Sequence, residues 1–378
     1  MHTVKFYPVG NGDSSQIILE NGKRILFDYR HKKSAENNEG PEINLFQTLH
    51  NELEEAGRDY FDVVAFTHGD KDHIENSSDF FWFEYKKEFQ SEERVKIKEL
   101  WVPAALIIEE LTKDQLSTEL AYWQKEARHR LMQGRGIRVF SKPDKLKNWL
   151  RSKRLTVEER QHLVVDAGKV VDTFSLKNDG VEFFCHSPFI KHVDEGDDIR
   201  NGAALIFNVR FKAGQEFYDY FCVGDSTCDV LEDIVTISKN KGRPDRLKWD
   251  LYSIPHHCSH HALNPEKGRE KTEPIDKVKE LLRSGKEGGY MLCSSQEIVN
   301  DNTGYAQKMP PHIQAKNTYE ELLREVDGCR LIVTMEESPT NKPQPIIFNI
   351  QPTGIFLESM AVTSGAAALT ARPALRAG

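Results

Sequence analysis

The chain has 378 residues, of which 38% are hydrophobic and 29% charged, so it is long enough for a large buried core and has the composition of a globular protein. No apolar run approaches the about 18 residues of a membrane span, and the N-terminus lacks the layout of a secretory signal, so we expect a cytoplasmic protein that does not enter a membrane. The net charge of −8 argues against a protein that coats nucleic acid along its whole surface.

The elements predicted in chain order are those of an α/β protein. The first 28 residues predict strands at 4–9, 15–19 and 24–28, with turn signals at Gly10–Asp13 and Asn21-Gly22. An amphipathic helix is predicted at about 43–56, and a buried strand at 62–66 leads into a polar segment. Later strands are predicted at 181–185, 203–211, 218–223, 250–254, 290–293 and 330–334, with helices near 274–284 and 317–326. Interleaved strands and helices indicate an α/β fold.

Positive charge is concentrated in one segment of the chain. Between Lys125 and Arg160 there are 12 Lys or Arg against 4 Asp or Glu. This stretch belongs to a helix-rich segment, about 104–165, which we interpret as a basic insertion or lid of a domain spanning 1–353. Residues 354–378, rich in Ala, Thr and Gly, are predicted to be a disordered tail. Six scattered cysteines without a C-x-x-C pair predict reduced core thiols.

The segment after the strand 62–66 carries the first candidate site. His68, Asp70, Asp72 and His73 place four potential ligands within six residues. Strand ends in α/β sheets are where functional loops converge. Imidazoles and carboxylates suit Zn²⁺, Mn²⁺ or iron, so this spacing favours a metal site over a solvated polar loop.

Two later segments strengthen this interpretation. A strand at 218–223 ends in Gly224-Asp225, where the glycine lets the carboxylate project from a tight turn, although a helix N-cap also explains the pair. A strand at 250–254 is followed by four histidines in six positions, namely His256, His257, His260 and His261.

These motifs together resemble the metallo-β-lactamase-fold hydrolases. His-x-Asp-x-Asp-His is similar to their His-x-His-x-Asp-His signature, with Asp70 in place of the second histidine. The branch containing the hydrolase domain of the bacterial competence DNA-uptake channel is the most similar, through Val9-Gly-Asn-Gly-Asp13, Asn201-Gly-Ala-Ala-Leu205, Val223-Gly-Asp225 and His256-His-Cys-Ser259 in the same order. The resemblance covers roughly 1–350 without the helical segment, and it implies an αββα sandwich.

The resemblance implies a centre that holds two divalent cations, Mn²⁺ or Zn²⁺. The implied ligands are His68 and Asp70 for one cation, Asp72 and His73 with one histidine of the 256–257 pair for the other, and Asp225 as the bridge between them. A hydroxide shared by the cations would attack phosphorus or a carbonyl, and Asp72 would orient it or accept its proton. The carboxylate-rich ligand set favours Mn²⁺ while leaving Zn²⁺ open.

For three parts of the predicted site, the sequence leaves more than one candidate residue or role. We favour His256 as the metal ligand because it is nearer the strand end. His257 would then contact the substrate or one of the metal ligands. The family's further histidine is expected before Asp225, and His186 is the candidate, with His192 as its rival. Asp13 either lines the site or holds the glycine-rich turn, and we prefer the turn.

Three features depart from the family pattern. Cys258 stands where glycine is usual, so the backbone differs there or the thiol contacts the metal region. Ile74-Glu-Asn76 replaces the glycines that usually follow the first motif. No membrane segments accompany the domain.

A phosphodiester substrate, in DNA or RNA, is the substrate class we expect. The basic segment and a second basic loop, 239–248, would attract phosphates, and Trp123 and Trp149 could stack on bases, although each also suits a small core. The alternatives are a small-molecule hydrolase acting on an ester, thioester or lactone, and a metal-binding module without catalysis. Protein partners are not predicted.

Overall fold

Two β-sheets face each other in the structure, a computed structural model that describes residues 1–37, 40–194 and 200–358. The strands are β1 (His2–Phe6), β2 (Ser15–Ile18), β3 (Arg24–Phe27), β4 (Tyr60–Ala65), β5 (Lys96–Pro103), β6 (Ile137–Phe140), β7 (Val164–Val165), β8 (Val181–Ser187), β9 (Ile206–Ala213), β10 (Glu216–Val223), β11 (Trp249–Ser253), β12 (Gly285–Cys293), β13 (Arg330–Val333), β14 (Ile346–Gln351) and β15 (Gly354–Leu357). The α-helices are α1 (Leu45–Glu55), α2 (Lys71–Ile74), α3 (Ser77–Phe80), α4 (Ala104–Ile108), α5 (Glu119–Gln133), α6 (Asp144–Ser152), α7 (Val157–Arg160), α8 (Ile190–Asp194), α9 (Cys228–Asn240), α10 (Asp276–Leu282), α11 (Asn302–Ala306), α12 (Ile313–Glu325) and α13 (Thr334–Glu337).

Both sheets mix antiparallel and parallel pairing. The nine-stranded sheet runs β15-β14-β1-β2-β3-β4-β5-β6-β7, and the six-stranded sheet runs β13-β12-β11-β10-β9-β8. Strands β3 to β7 pair in parallel, as do β10 to β13. The carboxyl ends of parallel strands meet at one edge of a sheet, so each sheet offers one edge where successive loops converge.

Three apolar layers explain why the sheets stack. The middle layer joins the inner faces of the two sheets, for example through Phe27, Trp101 and Phe207. One outer layer packs the nine-stranded sheet against α1 and α5, and the other packs the six-stranded sheet against α9, α10 and α12. Helices therefore cover both outer faces, and the predicted αββα sandwich is confirmed.

Helix α1 shows how the sequence pattern builds one of these layers. Leu45, Leu49 and Leu53 recur every fourth residue, so they share one face, and all three are buried. Asn44 caps the helix, because its side-chain oxygen accepts a hydrogen bond from the backbone N–H of Gln47 at 3.1 Å. The predicted helix at about 43–56 is confirmed, with observed bounds of Leu45–Glu55.

The helix-rich segment 104–165 is built into the nine-stranded sheet. It holds α4 to α7 as expected, but it also supplies β6 and β7, which continue the parallel pairing from β5. These strands have four and two residues, too short for a clear periodic pattern. The segment is therefore part of the sheet and not an element added beside it.

The end of the domain also differs from the expectation. Residues 354–357 form β15, which pairs with β14, so the tail does not begin at 354. Residues 359–378, which make up the rest of the predicted tail, lie outside the described residues. Within the described part of the chain, no helix combines the length and the apolarity that crossing a membrane requires.

Candidate metal centre

The first motif leaves the end of β4 and turns back into the protein. Thr67 directs both its backbone N–H and its hydroxyl to the carboxylate of Asp28, each at 2.7 Å. Asp28 follows β3, the parallel neighbour of β4, so the pairing of these strands brings the two residues together. His68 and His73 are both buried next to this contact between Thr67 and Asp28.

Asp225 follows β10 of the other sheet and reaches the same point. Gly224 lets the two loops approach, since a Cβ built on it would lie 2.7 Å from Cβ of Thr67 and 2.8 Å from its hydroxyl oxygen. The backbone also joins the sheets here, because the N–H of Leu205 donates to the carbonyl of Thr67 at 2.9 Å. The carboxylate of Asp225 is thereby buried between the two sheets.

The two oxygens of Asp225 face different imidazoles. Oδ1 lies 3.3 Å from Nε2 of His73 and 3.6 Å from Nε2 of His257. Oδ2 lies 3.9 Å from Nε2 of His68 and 3.5 Å from Nε2 of His256. We call the Oδ1 half, with His73 and His257, the deep side, and the Oδ2 half, with His68 and His256, the outer side. A carboxylate placed in this way can bridge two cations.

Additional carboxylates complete each side. On the deep side, Asp72 Oδ2 lies 3.1 Å from Nε2 of His257. Asp13 also belongs there, because its ligand atom and those of His73, Asp225 and His257 all lie within 4.8 Å of one another. On the outer side, Asp70 Oδ2 lies 3.4 Å from Nε2 of His68.

Hydrogen bonds fix the orientation of three imidazoles. Nδ1 of His73 donates to the carboxylate of Asp28 at 2.8 Å, and Nδ1 of His257 donates to the carbonyl of Ser294 at 2.8 Å. Nδ1 of His68 lies 3.2 Å from the hydroxyl oxygen of Thr67. With Nδ1 engaged as the donor, each ring turns Nε2 toward Asp225, and Nε2 is the atom that would bind a cation once its proton is displaced.

Several polar atoms at the centre lack the partner that burial normally demands. Nε2 of His68, Nε2 of His73 and Oδ1 of Asp225 are buried, and no hydrogen bond to another described residue satisfies them. Unsatisfied buried polar atoms are costly, so a group of them pointing at one spot requires an explanation. A divalent cation on each side would satisfy these atoms, His73 Nε2 and Asp225 Oδ1 on the deep side and His68 Nε2 on the outer side, so the residues present fit the metals that the sequence motif implies.

The electrostatics of the centre favour positive charge. Burial alone would lower the pKa of His257, but Asp225 and the hydrogen-bonded Asp72 raise it to about 10. Burial opposes ionisation of Asp70, yet the adjacent imidazole of His68 and the guanidinium of Arg200 hold its pKa at about 2. Imidazolium groups compensate the carboxylates where no cation is present, so the site is one that stabilises added positive charge.

The order of the two histidines after β11 differs from our expectation. His257, and not His256, faces Asp72 and His73 on the deep side, while His256 lies on the outer side. The backbone is the reason, because three successive residues, His256, His257 and Cys258, have φ of +50°, +51° and +66°. This left-handed turn rotates the side chains away from the alternation of the preceding strand.

Cys258 takes the backbone conformation that favours glycine. Its thiol is buried in the outer core of the six-stranded sheet, where Sγ lies 3.8 Å from the carbonyl oxygen of His312. Neither alternative is therefore supported, because the backbone has the left-handed conformation that suits a glycine and the thiol packs in the outer core. The other cysteines are also free, and all except Cys329 are buried, which confirms the prediction of core thiols.

The candidates for a further histidine lie away from the centre. His186 is buried on the outer face of β8, where its ring contacts Phe221 and its Nε2 lies 3.0 Å from the carbonyl oxygen of Arg246. Burial lowers its pKa to about 4, as expected of a neutral core histidine. His192 instead contacts Asp233 at 2.8 Å. Neither ring reaches Asp225, so the assignment of His186 as a ligand is wrong for this structure.

Sequence reasoning missed three groups that shape the centre. Asp28 and the carbonyl of Ser294 orient two histidines, and the guanidinium of Arg200 hydrogen-bonds Oδ1 of Asp70. Asp28 and Ser294 each follow a parallel strand, β3 and β12, and that position was the available signal. The sequence favours a role for Asp13 in the glycine-rich turn, whereas the structure includes its carboxylate in the deep side.

The second basic loop lies at a distance from the centre. Helix α9 starts three residues after Asp225 and runs for 13 residues, about 20 Å, to Asn240, so residues 239–248 begin at its far end. Several of its cations are paired, including Lys239 with Glu280 and Arg246 with Glu182. The expectation that this loop borders the site is therefore wrong, because α9 separates the two.

The two tryptophans of the basic segment have different environments. Trp123 is buried, donates from Nε1 to the hydroxyl of Ser77 at 2.7 Å and packs on Phe66, so it belongs to the core and cannot stack on a base. Trp149 is half-buried, and Arg128 and Lys153 lie 5.6 and 5.8 Å from its ring centre.

Substituting Gly224 by Ala tests the contact that joins the two sheets. The added methyl group would press on Thr67, which positions Asp28 and His68, so we expect a loss of about 1–3 kcal/mol in the free energy of unfolding together with weaker cation binding. Denaturant unfolding and cation titration would measure both. An unchanged unfolding midpoint would mean that the contact between Gly224 and Thr67 does not constrain the centre.

Comparisons with known proteins give distant matches only. Neither a family model nor a curated protein sequence matches this chain. Among solved structures, a protein described as a metal-dependent hydrolase from Parabacteroides distasonis matches at 9% identity and a TM-score of 0.35, over 86% of this chain and 91% of that one. The metallo-β-lactamase GOB-18 from Elizabethkingia meningoseptica matches at 13% identity and a TM-score of 0.32, over 85% and 86%.

A third structure is CmlA, a diiron β-hydroxylase from Streptomyces venezuelae, at 14% identity and a TM-score of 0.39, over 87% of this chain and 52% of that one. Similarities at these identities and TM-scores assign no activity, and the narrower resemblance to the competence branch stays a prediction. What this centre can do follows from its own residues.

Proposed function

We propose that this chain is a metal-dependent hydrolase with a two-cation centre, and that its substrate is a phosphodiester. One observation carries the proposal: the two oxygens of buried Asp225 face two separate sets of imidazoles whose Nε2 atoms lie 3.3–3.9 Å away. A structural ion pair needs neither the second set nor the unsatisfied nitrogens of His68 and His73.

Each side of Asp225 offers ligands for one cation. The deep side would use His73, His257, Asp72 and Asp13, and the outer side His68, Asp70 and His256. When bound, the cations supply Lewis acidity that lowers the pKa of a coordinated water and stabilises charge on the oxygens of the substrate. The carboxylates make the ligand set harder than an all-histidine set, which favours Mn²⁺ and leaves Zn²⁺ as the second choice.

The protein's own residues would handle orientation and protons. Asp28 and the Ser294 carbonyl keep His73 and His257 in one tautomer, so both present Nε2 without rearrangement. Asp72 is the proposed proton acceptor. A third of its side chain is exposed, and although burial opposes its ionisation, His257 holds its pKa well below the ordinary value, so the carboxylate is ionised at neutral pH.

The support for nucleic acid as the natural phosphodiester comes from surface charge. The segment Lys125–Arg160 carries a sequence excess of +8, part of which is compensated because Arg130 is buried and Arg138 pairs with Asp172. Trp149 is half-buried, and Arg128 and Lys153 lie beside its ring. Lys142, which pairs with Asp166 at 2.6 Å, comes two residues after β6, whose carboxyl end lies at the same edge of the sheet as the first motif. A backbone bound along this edge would reach the centre with its phosphates facing cations.

The decisive experiment combines metal analysis with substrate cleavage. We expect about two cations per chain after loading with Mn²⁺, and metal-dependent cleavage of bis-p-nitrophenyl phosphate and of single- or double-stranded DNA or RNA. Asp72→Asn is expected to lower the cleavage rate by about 100-fold or more, the range typical of losing a positioned acid or base. Asp79→Asn, which removes a carboxylate 54% exposed at its side chain, is the matched control and should behave as wild type.

Other outcomes would redirect the proposal. Bound metal with cleavage of thioesters or lactones only would contradict the phosphodiester substrate and favour the small-molecule hydrolase. A protein that binds no cation after reconstitution would contradict the metal centre itself.

A further inference from the structure

The two sides of the centre are unequally prepared for a cation. On the deep side, Asp13, His73, Asp225 and His257 bring four ligand atoms within 4.8 Å of one another, and no other group of this kind occurs among the described residues. The outer side therefore lacks an equally compact set, although His68, Asp70 and His256 each lie near Oδ2 of Asp225 or near one another.

The imidazoles also differ in how firmly they are held. His73 and His257 are buried, and each has an acceptor on Nδ1 at 2.8 Å. His256 leaves 23% of its side chain exposed, and its Nδ1 has no hydrogen-bond partner among the described residues. A ligand that must first be immobilised contributes less to affinity, so the outer side is less preorganised.

A positively charged side chain already contacts Asp70. The guanidinium of Arg200 hydrogen-bonds Oδ1 of Asp70 through Nη1, and its Nε donates to Oε1 of Glu109 at 3.0 Å. The same guanidinium therefore contacts both Glu109 and Asp70, and Glu109 helps to hold it beside Asp70. Arginine stays protonated under all ordinary conditions, so the positive charge beside Asp70 is permanent.

We propose that Arg200 competes with the outer cation for Asp70, so that the centre fills in sequence, first the deep side and then the outer side. The inference rests on the proposed function, because it requires a centre that binds cations. The physical reason is that a carboxylate paired with a guanidinium offers less charge to a metal, while a divalent cation placed beside it meets a like charge. The outer cation is therefore bound more weakly and exchanges readily.

Calorimetric titration of the metal-free protein with Mn²⁺ tests the order of filling. Wild type should show two binding steps of different affinity. In Arg200→Gln, which removes the charge but keeps a polar side chain, the weaker step should tighten by about 10-fold or more, as expected from removing one partly buried like charge. The tighter step should change by less than about 3-fold, because the deep side has no contact with Arg200.

Lys71→Gln is the matched control. Lys71 adjoins Asp70 in the chain, but its side chain is 83% exposed and pairs with Glu75 at 3.1 Å. Solvent and salt screen this charge, so neither step should shift by more than about 3-fold. If Lys71→Gln tightened the weaker step as much as Arg200→Gln, the effect would be one of net charge and the proposal would be overturned.

The remaining outcomes are also decisive. If the affinity of the weaker step is unchanged or falls in Arg200→Gln, the arginine supports Asp70 and does not compete with the cation. If that variant fails to fold, Arg200→Lys replaces it, and its weaker step should be tighter than in wild type because an ammonium group cannot bind Asp70 and Glu109 as a fork. Absence of any binding in wild type would contradict the proposed function, whereas two equal steps would contradict this inference alone.

Discussion

Asp225→Asn should remove most cation binding and nearly all activity of this protein. The amide keeps the shape of the carboxylate, but it loses the charge and presents an NH₂ group toward one pair of imidazoles, which lie 3.3–3.9 Å from the carboxylate oxygens. Both sides of the centre would lose their shared ligand. We expect fewer than one cation per chain. The rate should fall by more than the roughly 10- to 100-fold loss that follows removal of a group that hydrogen-bonds a metal ligand.

Metal analysis after gel filtration and a cleavage assay at saturating Mn²⁺ would measure these effects. Asp229→Asn is a suitable control, because Asp229 is an exposed carboxylate in the first turn of α9, four residues from Asp225. The control should retain its cations and its rate. Retention of two cations by Asp225→Asn would show that the imidazoles bind metal without the bridging carboxylate, and the central assignment would fail.

Asp28→Asn should weaken cation binding although Asp28 is not a proposed ligand. Asp28 accepts hydrogen bonds from the backbone and the hydroxyl of Thr67 and from Nδ1 of His73. An amide that keeps its oxygen toward Thr67 turns its NH₂ group toward Nδ1, which forces His73 to carry its proton on Nε2. That nitrogen then has no lone pair for a cation, so we expect cation affinity to fall by about 10- to 100-fold.

The same change should cost about 1–3 kcal/mol in the free energy of unfolding, because at least one buried donor loses its acceptor. Cation titration, denaturant unfolding and nitrogen chemical shifts of His73 would separate the effects on affinity, stability and tautomer. Asp59→Asn, at a carboxylate 61% exposed at its side chain, should leave all three unchanged. Wild-type affinity in Asp28→Asn would show that this hydrogen bond does not select the tautomer.

The sequence located the centre because its main groups follow strands. His68 to His73, Asp225 and the 256–257 pair each come directly after an apolar strand, and the carboxyl ends of parallel strands meet at one edge. The first motif is also local, so its spacing alone brings its side chains close. The order of strands and helices indicated an α/β fold, and the αββα arrangement was implied by the family resemblance of the motifs.

The sequence predictions are wrong where the local pattern does not determine the direction in which a side chain points. His186 lies within β8, one residue beyond the predicted strand end, so alternation turns it toward the outer face opposite Cys185, which lies in the layer between the sheets. The order of His256 and His257 depends on a left-handed turn at non-glycine residues. Three successive non-glycine residues in this conformation are uncommon, so the local sequence does not predict the turn.

The sequence by itself determined the kinds of ligand, their place at strand ends and the α/β class of the fold. The tertiary structure alone decided that Asp28 would orient His73, that Asp13 would join the deep side and that Arg200 would bind Asp70, because these contacts join residues 45, 60 and 130 positions apart in the chain. Side-chain spacing within one element follows from backbone periodicity, whereas contacts between elements depend on strand register and loop path, which short-range pattern does not encode.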